Sequence, residues 1–291
     1  MSRKTSLGEA TVRQLCRAFG VSRQAFYAAR AAVSRVTPIR SSNRRLGASV
    51  AELEPKIRSL AQDHPAWGVR KVWACLRRDG LRVSHKRVWA LMRAWGLTLA
   101  PAADRDKGAL RGHVTVPDSN RRWATDLTTV WTAQNGLAAI TLVVDCGDRF
   151  ALALDVTKSQ ESGPVLAPTR RSLSEEFQHP LQTPDGFELR SDHGPQFTGA
   201  DCEELCQEWG IEHTFAPVGR PTGNAVVERL ILTMKQELIW TQDWLSIAEL
   251  RAALAIWVST YNHHRPHQAL DWRTPAEQRA INLGRSLRAA A

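Results

Sequence analysis

Residues 219–238 read GRPTGNAVVERLILTMKQEL, and two shorter strings upstream decide how they are understood: WATDLT at 123–128 and LRSDHGPQFTG at 189–199. The first opens an alternating stretch, Arg122–Thr132, that reads as a β-strand. The second closes a short strand, Phe187–Ser191, and leaves Asp192 just past its end. The third begins a long helix over 224–240 with Glu228 in its first turns. Asp126, Asp192 and Glu228 thus fall at a strand, a strand end and a helix start, the last two separated by 35 intervening residues. Acids on core-packing elements lose hydration unless something positive compensates. Three that converge raise one another's pKa. Carboxylates without a thiolate or a histidine cluster select hard cations, Mg²⁺ or Mn²⁺. Two such ions about 3.5–4 Å apart can clamp the attacking and leaving oxygens of a phosphodiester. Lys235 follows Glu228 by seven residues, two helical turns, so its ammonium shares that face and can meet a phosphate.

Working outward, Leu137–Cys146 follows the turn Gln134-Asn135-Gly136 as a second strand, and Phe150–Val156 follows Gly147-Asp148 as a third. Helices are expected over 163–178, 200–209 (closed by Gly210) and 246–262, with a further strand at Ile211–Phe215. Three strands in a meander, then alternating helices and strands, describe an α/β domain over 122–262 with a mixed five-stranded sheet flanked by helices. A basic segment, 263–291, follows it, and a polar stretch with Pro101 and Pro117 (100–121) precedes it as a linker.

The part before that linker is all-α. Val12, Leu15, Cys16 and Phe19 form one helical stripe, Gly20 breaks it, and Ser22 can cap a second helix through Phe26 and Tyr27. Residues 1–33 therefore read as a helix-turn-helix unit, whose second helix offers Arg23 and Gln24 to base edges or phosphates. A basic linker, 34–50, leads to a second such unit at 51–99. There Val69, Val72, Trp73 and Leu76 precede an Asp79-Gly80 turn, and Ser84 opens a helix. That helix has Val88, Leu91, Met92 and Trp95 inside and His85, Lys86, Arg87 and Arg93 outside.

Charge follows this division. Residues 1–121 hold 24 Lys plus Arg against 8 Asp plus Glu, and 122–291 hold 15 against 21, within a chain of 291 residues and formal charge +10. A basic first part fits phosphate neutralisation, and an acidic second part fits clustered carboxylates. Hydrophobic residues at 43% exclude wholesale disorder, and no apolar run reaches the roughly 18–20 residues that span a bilayer. The basic N-terminus has no apolar segment of the secretory kind. Five scattered cysteines without a CxxC pair point to a reducing compartment rather than to disulfides or a four-ligand zinc site.

The three acid-bearing strings resemble the D-D-35-E catalytic core of retroviral integrases and bacterial transposases, and in particular the second-reading-frame protein of the insertion-sequence-three family. HPAWGVRKVWACLRRDGLRVSHKRVWALMRAWGL (64–97) is similar to the helix-turn-helix segment before that family's core, and YNHHRPHQALDWRTPAE (261–277) to its C-terminal signature. The resemblance covers roughly 62–280. It implies a ribonuclease-H-like fold, with Asp126, Asp192 and Glu228 as ligands of two Mg²⁺ (or Mn²⁺) ions and Lys235 as a DNA contact. Gln196 and Asn224 match polar positions of the same motifs, as site-organising or DNA-contacting residues. His193 stands where Asn or Arg is frequent, and Arg229 where a small polar residue is often found; each adds a phosphate contact. Arg265 belongs to a helix-terminal, phosphate-facing segment.

The function implied is DNA transposition. The chain would bind the terminal inverted repeats of an insertion sequence, cleave a strand with a metal-activated water and join the freed 3′-OH to target DNA. The family's route is copy-out, paste-in, in the bacterial cytoplasm on nucleoid DNA. It involves a homo-oligomer on DNA and an upstream reading-frame partner, without a membrane. Alternatives of other classes are a catalytically inactive DNA-binding regulator and a ribonuclease-H-like nuclease without terminal-repeat preference. Asp145 and Asp148 read as turn residues. Asp155 has no evident partner, and His263, His264 and His267 read as part of the phosphate-facing segment. Cys202 and Cys206 read as core packing. Trp73, Trp89, Trp123 and Trp257 are core candidates.

Overall fold

The protein is described by a computed structural model over residues 12–27, 47–100, 116–216 and 224–290, and the chain divides into two compact units, Met1–Gly47 and Ala48–Ala291. Most of the expected 34–50 and 100–121 linkers lie outside the described residues, as do both ends of the expected 1–33 unit.

In the first unit, α1 (Val12–Ala18) ends at Gly20, whose φ of +64° suits a residue without a Cβ. Ser22 Oγ accepts the Ala25 N–H and so starts α2 (23–27), with Arg23 and Gln24 exposed. Cys16 is buried, but Phe19 is 77% exposed, against the expected stripe. It lies beyond the last residue of α1, where the helical face no longer carries it inward.

The second unit begins with three helices, α3 (Val50–Asp63), α4 (Val69–Arg78) and α5 (His85–Ala94). Ser49 and Glu52 form a capping box on α3, and Ser84 Oγ accepts the Arg87 N–H to cap α5. Leu53, Ile57, Val72, Leu76, Val88 and Met92 close a small core. Trp89, expected inside, is 45% exposed with the Arg93 guanidinium over its ring. Val88 and Met92 are the i, i+4 pair that face inward, and residue 89 is turned away from them.

The sheet has the order β3-β2-β1-β4-β5, with β1 (Arg122–Thr132), β2 (Gly136–Asp145), β3 (Ala151–Thr157), β4 (Glu188–Ser191) and β5 (Glu212–Phe215). β1–β2 and β2–β3 are antiparallel, and β4 joins β1, and β5 joins β4, in parallel. Alternation along the strands sends side chains to two cores. One face, with Ala124, Ile140, Leu142 and Val144, lies under α9 (Ala225–Glu237) and α10 (Ile247–His263). The other, with Trp123, Val143, Phe187 and Leu189, lies under α6 (Ser162–Phe177), α7 (Pro195–Thr198) and α8 (Ala200–Glu208). No described helix is long and apolar enough to cross a membrane.

The segment expected as a basic C-terminal extension includes α11 (Pro275–Ala290), and this helix takes part in the core's polar interior. Arg279 reaches Asp148, Asp145, Glu176 and Asn120, and Asn282 reaches Ser119. Asp145 and Asp148, read as turn acids, are fully buried. Asp155 pairs with Arg251 and Arg171. The helix-turn-helix segment is tied to the same body: Arg78 grips Glu277 with two 2.6 Å hydrogen bonds, and Lys71 Nζ lies 3.2 Å from Glu237 Oε1.

Candidate active site

Strand register brings the first two acids together. β1 and β4 run parallel with Trp123 opposite Leu189 and Ala124 opposite Arg190. Asp126 lies two residues past Ala124 on β1 and Asp192 directly follows β4, so the parallel pair carries both acids out at the same end, and Asp126 feels the charge of Asp192. Asp126 points to the same face as Ala124, which packs in the core covered by α9. That helix carries Glu228 in its first turn.

Asn224 is the joint that holds the third acid there. It precedes α9, is buried, and its Nδ2 donates to the Thr125 carbonyl, 3.3 Å away, next to Asp126. Its carbonyl oxygen accepts the Glu228 N–H. The start of the helix is thereby pinned to the strand that bears the first acid. Asn224 Oδ1 and Thr125 Oγ1 are buried without a hydrogen-bond partner among the described residues.

Gly194 shapes the second acid's loop. Asp192 Oδ1 accepts the Gly194 N–H at 2.9 Å. A Cβ on Gly194 would stand 2.9 Å from Gln196 Oε1 and 3.0 Å from Asp192 Oδ1, so a side chain here would push into both. Gln196 sits half-buried on α7, beside this turn.

The electrostatics agree with the geometry. Asp126 is half-buried and its carboxyl is pushed up to about 6. Burial is the main cause; the charges of Asp192 and Glu228 add to it, while the Leu127 N–H and the Lys235 ammonium oppose it. Lys235, two turns along α9, is near enough for its charge to act on Asp126. Asp192 and Glu228 are exposed, unlike the enclosed setting expected for all three acids.

The other expected contact residues divide. His193 is exposed and stacks on Phe215, with ring centroids 4.8 Å apart, and Arg229 is exposed beside Glu228. His85 and Lys86 are exposed at the start of α5, and Arg87 is half-buried. Arg265 departs from expectation. It is 9% exposed, its Nε lies 3.0 Å from Glu237 Oε1, and its guanidinium covers the Tyr261 ring. Its charge is committed within the protein, so it supports the cleft wall instead of reaching out. His263 and His267 turn to different rings, Phe150 and Tyr261. A cleft of about 880 Å³ runs between the helix-turn-helix segment and α9, lined by Arg70, Lys71, His85, Arg229 and Gln236 among others.

Two features were not read from the sequence. Arg279 and its acids form one, and the grouping of His213 with Cys202 and Cys206 forms the other. Neither has a local signature, because each joins residues from separate elements.

Comparison with known proteins places these features in context. Two family models described as integrase core domain match residues 117–221 and 191–275, and one described as HTH-like domain matches 49–103. Transposase InsD for insertion element IS2A/D/F/H/I/K of Escherichia coli is 31% identical over 241 residues, covering 78% of this chain and 79% of that protein. InsD for IS2-9 of Escherichia coli strain K12 is equally similar, over 77% of its length. Among solved structures, the simian T-cell lymphotropic virus intasome in complex with the PP2A regulatory subunit B56 gamma has a TM-score of 0.47 at 18% identity, over 77% of this chain and 74% of that one. The catalytic core domain of BIV integrase has a TM-score of 0.41 at 21% identity, over 59% and 99%.

Proposed function

Because this chain belongs to the insertion-element transposases with an integrase core, the family of InsD, we propose that Asp126, Asp192 and Glu228 are its catalytic acids. The observation that carries this reading is the pinning of Glu228's helix by Asn224 to the strand of Asp126, beside the parallel strand that Asp192 follows. Three carboxylates around one ammonium leave a negative excess, which agrees with the raised Asp126 carboxyl. An all-oxygen donor set of this kind fits hard divalent cations, and we assign the three acids as ligands of two Mg²⁺ or Mn²⁺ ions. Bound there, the ions would offset the carboxylate charge and stabilise the attacking and leaving oxygens of a phosphodiester.

The chain's own residues do the rest. Asn224 holds the third acid in place, and Gly194 keeps the Asp192 loop tight. Lys235 meets a phosphate beside the acids, with Arg229, His193 and Gln196 around the rim. The cleft that includes Arg70, His85 and Arg229 gives the duplex a basic track toward the acids. The starts of α2 and α5, with exposed Arg23, Gln24, His85 and Lys86 and half-buried Arg87, take the recognition of the element's terminal inverted repeats. Two ends must be joined to a target, so the working form is a homo-oligomer on DNA, with an upstream reading-frame product as further partner. Arg265 contributes to DNA binding through the cleft wall it supports.

The test is a cleavage and strand-transfer assay with Mg²⁺ on a duplex carrying the DNA that flanks the coding region. Asp126→Asn, Asp192→Asn and Glu228→Gln should each abolish both steps while leaving duplex binding nearly intact. Cleavage retained in any of the three would remove that acid from the site.

A further inference from the structure

On the far side of the Asp192 loop, three soft or borderline donors face one another. Cys202 and Cys206 stand one helical turn apart on α8, and His213 lies on the adjacent strand β5. Their ligand atoms, two Sγ and one ring nitrogen, all fall within 4.8 Å of one another, and among the described residues this is the group of three that could hold a metal ion by that closeness. Cys202 Sγ and His213 Nδ1 are 4.0 Å apart. In a tetrahedral zinc site, bonds of about 2.3 Å to sulfur and 2.0–2.1 Å to nitrogen set donors roughly 3.5–3.8 Å apart. A small inward movement of side chains covers the difference.

Hydrogen-bond accounting orients the imidazole. The Ser191 hydroxyl has one proton, which it donates to the Asp192 carbonyl at 2.9 Å. His213 Nε2 lies 2.9 Å from the same oxygen, so with the hydroxyl proton on the Asp192 carbonyl it is Nε2 that carries the N–H and donates. Nδ1 then carries the lone pair, and Nδ1 is the atom turned to Cys202. A histidine that gives its outer N–H to a fixed acceptor and its inner nitrogen to a cation is the usual arrangement around zinc. Both cysteines are buried, yet Cys206 and His213 line an open cavity of about 650 Å³ together with Phe197, Glu203 and Phe215. An ion therefore has a way in from the side of Cys206 and His213.

We propose that Cys202, Cys206 and His213 form a second metal site, for a thiophilic divalent cation such as Zn²⁺, separate from the acid centre and joined to it through Ser191. Two thiolates and an imidazole select such an ion against Mg²⁺, so the two sites do not compete for the same metal. The link gives the site a consequence. The cation fixes His213, His213 holds Ser191, and Ser191 holds the carbonyl of Asp192, so loading it stiffens the loop that carries the second acid. The site itself stands on its three donors, whatever the role of Asp192.

The full chain, purified with reductant and stripped by chelator, is titrated with Co²⁺ alone and then with Zn²⁺. The expected result is one Co²⁺ per chain with a thiolate-to-cobalt charge-transfer band, displaced by Zn²⁺. Zn²⁺ should also raise Tm by several degrees. Both effects should vanish in Cys202→Ser and in His213→Gln, while Asp126→Asn keeps them. Circular dichroism and a cooperative melt establish that each variant is folded, and Cys206→Ala provides a second packing-tolerant variant. No charge-transfer band in the native chain would overturn the site and leave three hydrogen-bonded core groups. A band that persists in the folded Cys202→Ser and His213→Gln variants would overturn it equally, as metal held elsewhere.

Discussion

Arg279 Nη1 lies 2.8 Å from Asp148 Oδ2, inside the protein, where Asp148 and its neighbour Asp145 have no exposed surface at all. Burial holds both acids above the ordinary carboxylate range, Asp145 at about 7. A carboxyl raised on folding adds stability while it stays protonated. That contribution is complete below the unfolded value near 3.9 and is lost as pH rises through about 7. The arginine limits the loss by compensating the charges. Arg279→Met should therefore cost about 3–5 kcal/mol near neutrality, the usual result of orphaning a buried charge. Its Tm deficit should be smaller near pH 5 than near pH 8. Calorimetric melts across that range check it, and a deficit independent of pH would show that packing, not charge, is responsible.

The Arg78–Glu277 pair joins the helix-turn-helix segment to α11, and its Arg78 hydrogen bond, with a further contribution from the Thr274 N–H, draws Glu277 down to about 2. The sign here is opposite. Stability from Glu277 is present above its unfolded value near 4.3 and fades as pH falls toward 2. The pair is partly exposed, so Glu277→Gln should cost only about 1 kcal/mol or less. The gap between native and variant urea midpoints should shrink from about pH 6 to pH 3. A gap that stays constant would mean that the glutamate's charge contributes nothing.

Asn224→Ala tests positioning without touching the acids. Freeing the start of α9 from the Thr125 carbonyl lets Glu228 drift, and misplacement of about 1 Å costs on the order of 100-fold in rate. Strand cleavage should fall by that order while duplex affinity is unchanged. If affinity falls in step with cleavage, Asn224 is a DNA contact instead.

Lys235→Ala and Arg70→Ala should each lower the slope of log affinity against log salt by about 1, as expected when a single cation no longer meets its phosphate. Arg265→Ala differs. It leaves Glu237 with Lys71 alone, and its first effect should be on thermal stability. Fluorescence anisotropy at several salt concentrations, beside melting curves, separates the three.

Much of the core was legible because strand alternation and turn chemistry are local. The second strand, expected at Leu137–Cys146, lies at Gly136–Asp145, and the third, expected at Phe150–Val156, lies at Ala151–Thr157. Glycine turns and a steady two-residue period left little freedom. The elements that carry the three acids were legible because each acid sits in a string whose neighbours declare its element. What was missed depends on partners far along the chain. Asp145 and Asp148 around a glycine have a sufficient local explanation as turn residues, and nothing near them announces Arg279, 131 residues beyond Asp148. Arg265 among histidines suggests an exposed basic loop, until Glu237 at the end of α9 absorbs it. Cys202 and Cys206 suggest packing until β5 presents His213.

The ties from Lys71 to Glu237 and from Arg78 to Glu277 set the helices of residues 50–94 and the acid-bearing sheet in one compact body. On the reading proposed above, a compact body that holds both a recognition helix and the acids works as a ruler. The offset between the bases it recognises and the bond it breaks is then fixed in base pairs. One inserted base pair between them would slide the scissile phosphate about 3.4 Å and turn it by roughly 35° around the duplex axis, out of reach of the acids. On that reading, the spacing inside each element end is part of what the protein recognises.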